Sequence, residues 1–183
     1  MTEDEMKLDM LVAELEYENR LLRARNERLV AEAQTSNFDR TAAWLKACGK
    51  VPGPAALSVQ IGCHLEEFIE FLMCVDFDSA DDAESLERSV ADLLRVANGL
   101  KKGLVMAGIN PSDRIEALDA LCDSEVTGNG VAYLAKMHKP GADRAVLDSN
   151  DAKLVDGKPV FVEGTTKIGK PDNWKAPDLS GFV

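Results

Sequence analysis

Two groups of carboxylates are spaced for chemistry in this sequence. The first is Glu66, Glu67 and Glu70, within His-Leu-Glu-Glu-Phe-Ile-Glu; the second is Glu116, Asp119 and Asp123, within Glu-Ala-Leu-Asp-Ala-Leu-Cys-Asp. Apolar residues around both recur with the helical period, which predicts one amphipathic helix for each group. On such a helix Glu66, Glu67 and Glu70 share a sector of about 100°, opposite Ile61, Leu65, Phe68, Ile69 and Leu72. Glu116, Asp119 and Asp123 are opposed by Leu118, Leu121 and Cys122. If the two helices face each other, the carboxylates converge into an oxygen cage of the kind that holds hard divalent cations. A solvated helix face gives the same pattern. Two details favour the cage. Neither sector carries the Lys or Arg at i+4 that balances an exposed acidic face. Gly128 and Gly130 follow Asp123, and a glycine costs a helix about 1 kcal/mol relative to alanine, so close approach of a ligand or a neighbouring helix would explain them.

The elements that must position these groups are helical. Residues 3–34 are charged, rich in leucine and free of Gly and Pro, with Leu8, Leu15, Leu22 and Leu29 at seven-residue intervals. Val12, Asn19, Asn26 and Ala33 fall at the alternate core position, which reads as a parallel coiled-coil dimer with two polar layers. Glu18 of one strand can reach Arg23 of the other. The alternative is a single amphipathic helix folded onto the body. The residues before the heptads are acidic, which excludes a basic leucine zipper. Thr35-Ser36-Asn37 breaks the pattern, and further helices are expected over about 38–47, 57–75, 83–103, from Pro111 towards Met137, and over 142–154. Asn110 is expected to cap the helix that Pro111 opens. The tail carries one β-like stretch, Val160-Phe161-Val162, read as a small hairpin or an irregular strap.

Composition narrows the function classes. A chain of 183 residues can bury a core, and its net charge of −11 speaks against binding nucleic acid or an anionic membrane. No apolar run has membrane-spanning length. Cys48, Cys63, Cys74 and Cys122 lack C-x-x-C spacing and read as reduced core residues of a cytoplasmic protein. Nothing at metal-ligand spacing accompanies His64 or His138.

At the acidic motifs the chain resembles the all-α nucleoside triphosphate pyrophosphohydrolases, the MazG-like and phosphoribosyl-ATP pyrophosphohydrolase-like group, in their phage-type form. Glu67-Phe-Ile-Glu70 matches the E-x-x-E motif of that group. Its E-x-x-D motif can be placed in two ways. Ending it at Asp119 gives Glu116-Ala-Leu-Asp119; ending it at Asp123 puts Ala120 where the glutamate belongs, but suits the Gly-Val-Ala-Tyr-Leu run that follows. Asp148-Ser-Asn150-Asp-Ala-Lys153-Leu and the closing Gly-Lys-Pro-Asp-Asn-Trp-Lys-Ala-Pro-Asp-Leu also resemble segments of those relatives. The similarity runs from about Phe38 to the C-terminus.

The resemblance implies an all-α helical bundle over 37–155, preceded by a coiled-coil helix over 1–36 and followed by a tail, 156–183, packed on the bundle. It implies hydrolysis of a nucleoside or deoxynucleoside triphosphate to the monophosphate and pyrophosphate, with Mg²⁺ (Mn²⁺ as the alternative ion) held by Glu67, Glu70 and Asp123, and Asp119 as a further ligand. Glu66, Glu67 or Asp119 would handle the attacking water. Lys153 and Asn150 would hold the polyphosphate, and Trp44 could stack on the base or simply belong to the core. The expected partners are the nucleotide and further copies of the chain, as a dimer or tetramer. The rival reading is a catalytically inactive assembly or nucleotide-binding protein of the same fold.

Overall fold

The computed structural model describes the backbone of residues 3–34, 36–162 and 168–183, and the side chains of 10–26, 36–162 and 168–183. Six α-helices are found among them: α1 (Glu3–Gln34), α2 (Asn37–Ala47), α3 (Pro54–Leu72), α4 (Ala80–Lys101), α5 (Arg114–Leu134) and α6 (Lys139–Asp151). Among the described residues the strands are one two-residue pair, β1 (Leu154–Val155) with β2 (Lys158–Pro159). The all-α expectation holds. The chain divides into two compact units, Met1–Trp44 and Leu45–Val183.

The first unit is α1 followed by most of α2. The described side chains of α1, including Val12, Leu15 and Leu22 of the heptad, are exposed, and Asn19 Nδ2 donates to the Leu15 carbonyl at 3.0 Å. Leu8, Leu29 and Ala33 of the heptad lie outside the described side chains. Ser36 opens α2: its Oγ accepts from the Asp39 N–H at 3.1 Å and donates to Asp39 Oδ2 at 2.6 Å. This is an N-cap in which the hydroxyl satisfies an amide that has no intrahelical partner.

The second unit is built on an α3–α4 hairpin. Pro54 occupies the first turn of α3, where its missing N–H costs nothing. This starts the helix three residues earlier than the sequence periodicity suggests. Ser79 caps α4 by accepting from the Asp82 N–H at 3.3 Å, and Asp81 and Asp82 sit at the positive end of the helix dipole with Lys101 at the negative end. The two helices run antiparallel, with Ile69 fully buried against Val90 and Ala97, and Leu65, Leu72, Leu86, Leu93 and Leu94 around them. Gly62 lets them close: a Cβ there would lie 2.8 Å from Leu100 Cβ and 2.9 Å from the Ala97 carbonyl oxygen. Ser58, almost completely buried, accepts the Ala107 N–H at 2.9 Å and ties the loop after α4 to α3.

Asn110 caps as expected, but Pro111–Asp113 form a 3-10 turn before α5 begins. The Asn110 side chain accepts from the Ser112 N–H at 3.3 Å. Lys136, with φ of 61°, stops the helical path before Met137. After α6 the chain makes a hairpin through Asp156 and Gly157, both in the left-handed region, which is the geometry of the two-residue turn favoured between twisted strands. The hairpin therefore precedes the Val160–Val162 stretch, where Phe161 bridges Ile168.

The tail is a strap that runs back along α6. Near the C-terminal end of α6 the Trp174 indole N–H donates to the Ser149 carbonyl at 2.8 Å. At the other end the His138 N–H donates to the Phe182 carbonyl at 2.7 Å, and the two rings stack 6.1 Å apart. Gly141 makes room for this contact, since a Cβ there would lie 2.5 Å from the Phe182 ring.

The four cysteines are free thiols. Only Cys48 is a core residue and Cys63 is half-buried; Cys74 and Cys122 are exposed, which corrects the expectation of four core thiols. Cys74 follows the end of α3, and Cys122 lies on the apolar face of α5, whose side chains stand in solvent.

Candidate active site

α3 brings the first carboxylate group together as its spacing requires. Glu66, Glu67 and Glu70 occupy one stretch of helix, one and three residues apart. Glu66 is engaged from α4: Lys101 donates a hydrogen bond to Glu66 Oε1, with both side chains half-buried. The missing positive charge that the sequence suggested is thus supplied across the helix pair and not at i+4. Glu67 has its pKa raised, first by burial and then by the charges of Glu70 and Glu66, while Lys101 and Lys153 oppose the shift. Crowded carboxylates share repulsion in this way, and a nearby cation lowers it.

Lys153 links this helix to the end of α6. Its Nζ donates to Asn150 Oδ1 at 2.8 Å, so the two residues expected to bind phosphate are held together. The Lys153 pKa is lowered, chiefly by burial and next by Lys170, while Glu67 and Cys48 act in the opposite sense. Lys153 is therefore coupled electrostatically to Glu67 of α3 and to Lys170 of the tail. Cys63, one turn before Glu66, has its pKa raised by burial above all, with Lys101, Glu66, Glu67 and Lys50 among its charged neighbours. Cys48 is likewise raised by burial.

The second carboxylate group is placed differently. Glu116, Asp119 and Asp123 are exposed on α5, whose principal neighbours are its leading 3-10 turn and α6. Among the described residues no three His, Cys, Asp or Glu side chains gather closely enough to hold a metal ion. Thus Glu67 and Glu70 come together on one helix, while the four-carboxylate cage with Asp119 and Asp123 is not assembled within a single chain. Among the described residues nothing lies within 4 Å of a Cβ built at Gly128 or Gly130, so none of them supplies the close neighbour expected there. The apolar side of α5 is equally open, with Ile115 87 % and Leu118 63 % exposed. Trp44 belongs to the first unit and the carboxylates to the second.

Sequence reasoning missed three contributors. Lys101 was hidden because its partner lies 35 residues away on another helix. Lys170 and Trp174 sit in a tail that reads as irregular, yet both Lys153 and Lys170 lie over the Trp174 ring. The Gly-Lys-Pro-Asp-Asn-Trp string was the available signal, but nothing in its spacing assigns it a task.

Carboxylate oxygens are the donor type that hard divalent cations take, and α3 carries Glu67 and Glu70 beside a Glu66 that Lys101 engages. Among the described residues no helix is long and apolar enough to cross a membrane. In comparisons with known proteins, the chain matches no family model, no curated protein and no solved structure.

Proposed function

We propose that this chain is a pyrophosphohydrolase of the all-α, MazG-like type, which hydrolyses a nucleoside or deoxynucleoside triphosphate to the monophosphate and pyrophosphate. The observation that supports the reading is the Lys153–Asn150 hydrogen bond at 2.8 Å, with Lys153 coupled electrostatically to Glu67, which Glu70 and Glu66 crowd. In this reading the Lys153 ammonium binds phosphate and the α3 carboxylates take the cation. Glu67 and Glu70, with Asp119 and Asp123, would hold Mg²⁺ or Mn²⁺. The ion would supply charge neutralisation of the polyphosphate and of the developing transition state.

The residues divide the remaining work. Lys153 neutralises phosphate oxygens, and Asn150 fixes the orientation of its ammonium. Glu66, braced by Lys101, orients the attacking water, or Asp119 does so from α5. The water oxygen bonds to phosphorus as the α–β bridge breaks, its proton passes to the carboxylate, and pyrophosphate leaves.

Homo-oligomerisation belongs to the same reading. A helix with Ile115, Leu118 and Val126 exposed on one side leaves apolar surface in water, and a second copy would cover it. The heptads of α1 would add a parallel coiled coil. One observation favours the rival reading, a non-catalytic assembly protein: the acidic side chains of α5 are exposed and, among the described residues, join no three-ligand cluster.

Release of pyrophosphate from a panel of NTPs and dNTPs with Mg²⁺ tests the proposal, beside a Glu67→Gln/Glu70→Gln control. Turnover that the control abolishes supports the hydrolase. A folded, metal-supplied protein that turns over none of them supports the assembly protein.

A further inference from the structure

We propose that the tip of the α3–α4 hairpin is a docking surface for a cationic amphipathic helix of another protein. The proposal stands apart from the hydrolase reading, because its contacts are made by side chains outside that site.

The first property of the tip is apolar surface. Phe71, in the last turn of α3, is followed by Met73, Val75 and Phe77 in the connection to α4. These four are 45 %, 66 %, 37 % and 45 % exposed, and Phe68, one turn before Phe71, is 52 % exposed. Singly exposed apolar side chains are ordinary, whereas several at one end of a helix pair mark a surface for a partner. Met73 contributes a flexible thioether that adapts to the shape of what it meets. The backbone beneath is held. The Met73 N–H donates to the Ile69 carbonyl at 3.0 Å, the Cys74 N–H to Phe71 at 3.0 Å and the Val75 N–H to Leu72 at 3.1 Å. Ser79 then caps α4, so the connection is fixed at both ends. A fixed surface costs little ordering when a partner binds.

The second property is charge, and it selects the partner. Between Lys50 and Arg88 the chain has nine carboxylates and no lysine or arginine. Asp76 and Asp78 alternate with Val75 and Phe77, and both are exposed. Among the described residues neither has an ion-pair partner, while Lys101 is taken by Glu66 and Arg88 by Glu84. Apolar side chains set among uncompensated carboxylates complement a segment that carries apolar anchors with lysine or arginine beside them. A helix with anchors at i, i+3, i+4 and i+7 presents both on neighbouring sides. The same carboxylates repel nucleic acid and anionic membranes. A second copy offers a poorer match, since the open apolar side of α5 comes with no lysine or arginine between Arg114 and Lys136.

The test is fluorescence anisotropy of a labelled leucine–lysine peptide, patterned as an amphipathic helix of about five turns, titrated with the full chain. Saturable binding is expected, and it should weaken as salt is raised. Met73→Ser/Phe77→Ser should weaken it about tenfold, the loss of two anchors. Asp76→Asn/Asp78→Asn should weaken it several-fold and flatten its salt dependence. Ile115→Ser/Leu118→Ser, on α5, should leave it unchanged, and the peptide with glutamate in place of lysine should not bind. A thermal melt of each variant establishes that it is folded. Absence of binding by the wild-type chain, an equal loss in the α5 variant, or equal binding of the glutamate peptide overturns the proposal. Sedimentation supplies a further check. If the wild-type chain self-associates and Met73→Ser/Phe77→Ser removes that association, a second copy covers the tip and the proposal fails.

Discussion

Lys101, in the last turn of α4, donates to Glu66 of α3 across the helix hairpin, with 28 % of each side chain exposed. The pair sits beside the Gly62 contact, where a Cβ would lie 3.1 Å from Lys101 Cγ. It leaves Glu66 braced and its neighbour Glu67 crowded, although the two are adjacent in sequence.

Lys101→Met should therefore destabilise the hairpin by about 1–3 kcal/mol, because Glu66 is left partly buried without its partner. Adding Glu66→Gln should recover part of the loss. Urea denaturation of both single variants and the double variant measures this coupling directly.

Glu67 yields a prediction in pH. Its folded-state pKa is raised by burial and by Glu70 and Glu66. A raised carboxylate contributes stability in full below its unfolded value, and that contribution is lost as pH rises through the folded value. Glu67→Gln should thus melt at a higher temperature than wild type at pH 7, with the difference shrinking towards pH 4. A melting difference that stays constant across that range would show that charge crowding is not the cause.

Two glycine substitutions should move in opposite directions. Gly62→Ala drives a methyl to 2.8 Å from Leu100 Cβ and 2.9 Å from a backbone oxygen, so the helices must separate at a cost of about 1–3 kcal/mol. Gly128→Ala meets nothing within 4 Å and should stabilise α5 by about 1 kcal/mol through helix propensity. Chemical denaturation of both variants provides the comparison.

Thiol labelling reports on α5. Cys74 is exposed and should react quickly with a maleimide, while Cys48 and Cys63, buried or half-buried and with raised pKa values, should react slowly. Cys122 shares the apolar side of α5 with Ile115 and Leu118. If a second copy covers that side, Cys122 should label more slowly than Cys74 and speed up on dilution. Equal rates at every concentration would remove α5 from the interface.

The sequence by itself determined the helices and much of their punctuation, because these depend on neighbours in the chain. The apolar period that predicted a helix over about 57–75, found at 54–72, and Asn110 before a proline are local signals. Local spacing also put Glu66, Glu67 and Glu70 in one sector, and Asn150 beside Lys153. The Asp156-Gly157 turn was equally local but was obscured by the stronger helical reading before it. Partners distant in sequence were decided only by the tertiary structure. Lys101 finds Glu66, Ala107 finds Ser58, and Lys170 shares a ring with Lys153 because packed helices and a returning tail bring them together. Periodicity can say which side of α5 is apolar, but whether that side is covered depends on what packs against it. In this chain it stands open, with Ile115 and Leu118 in water, and the carboxylates of α3 and α5 remain ungathered.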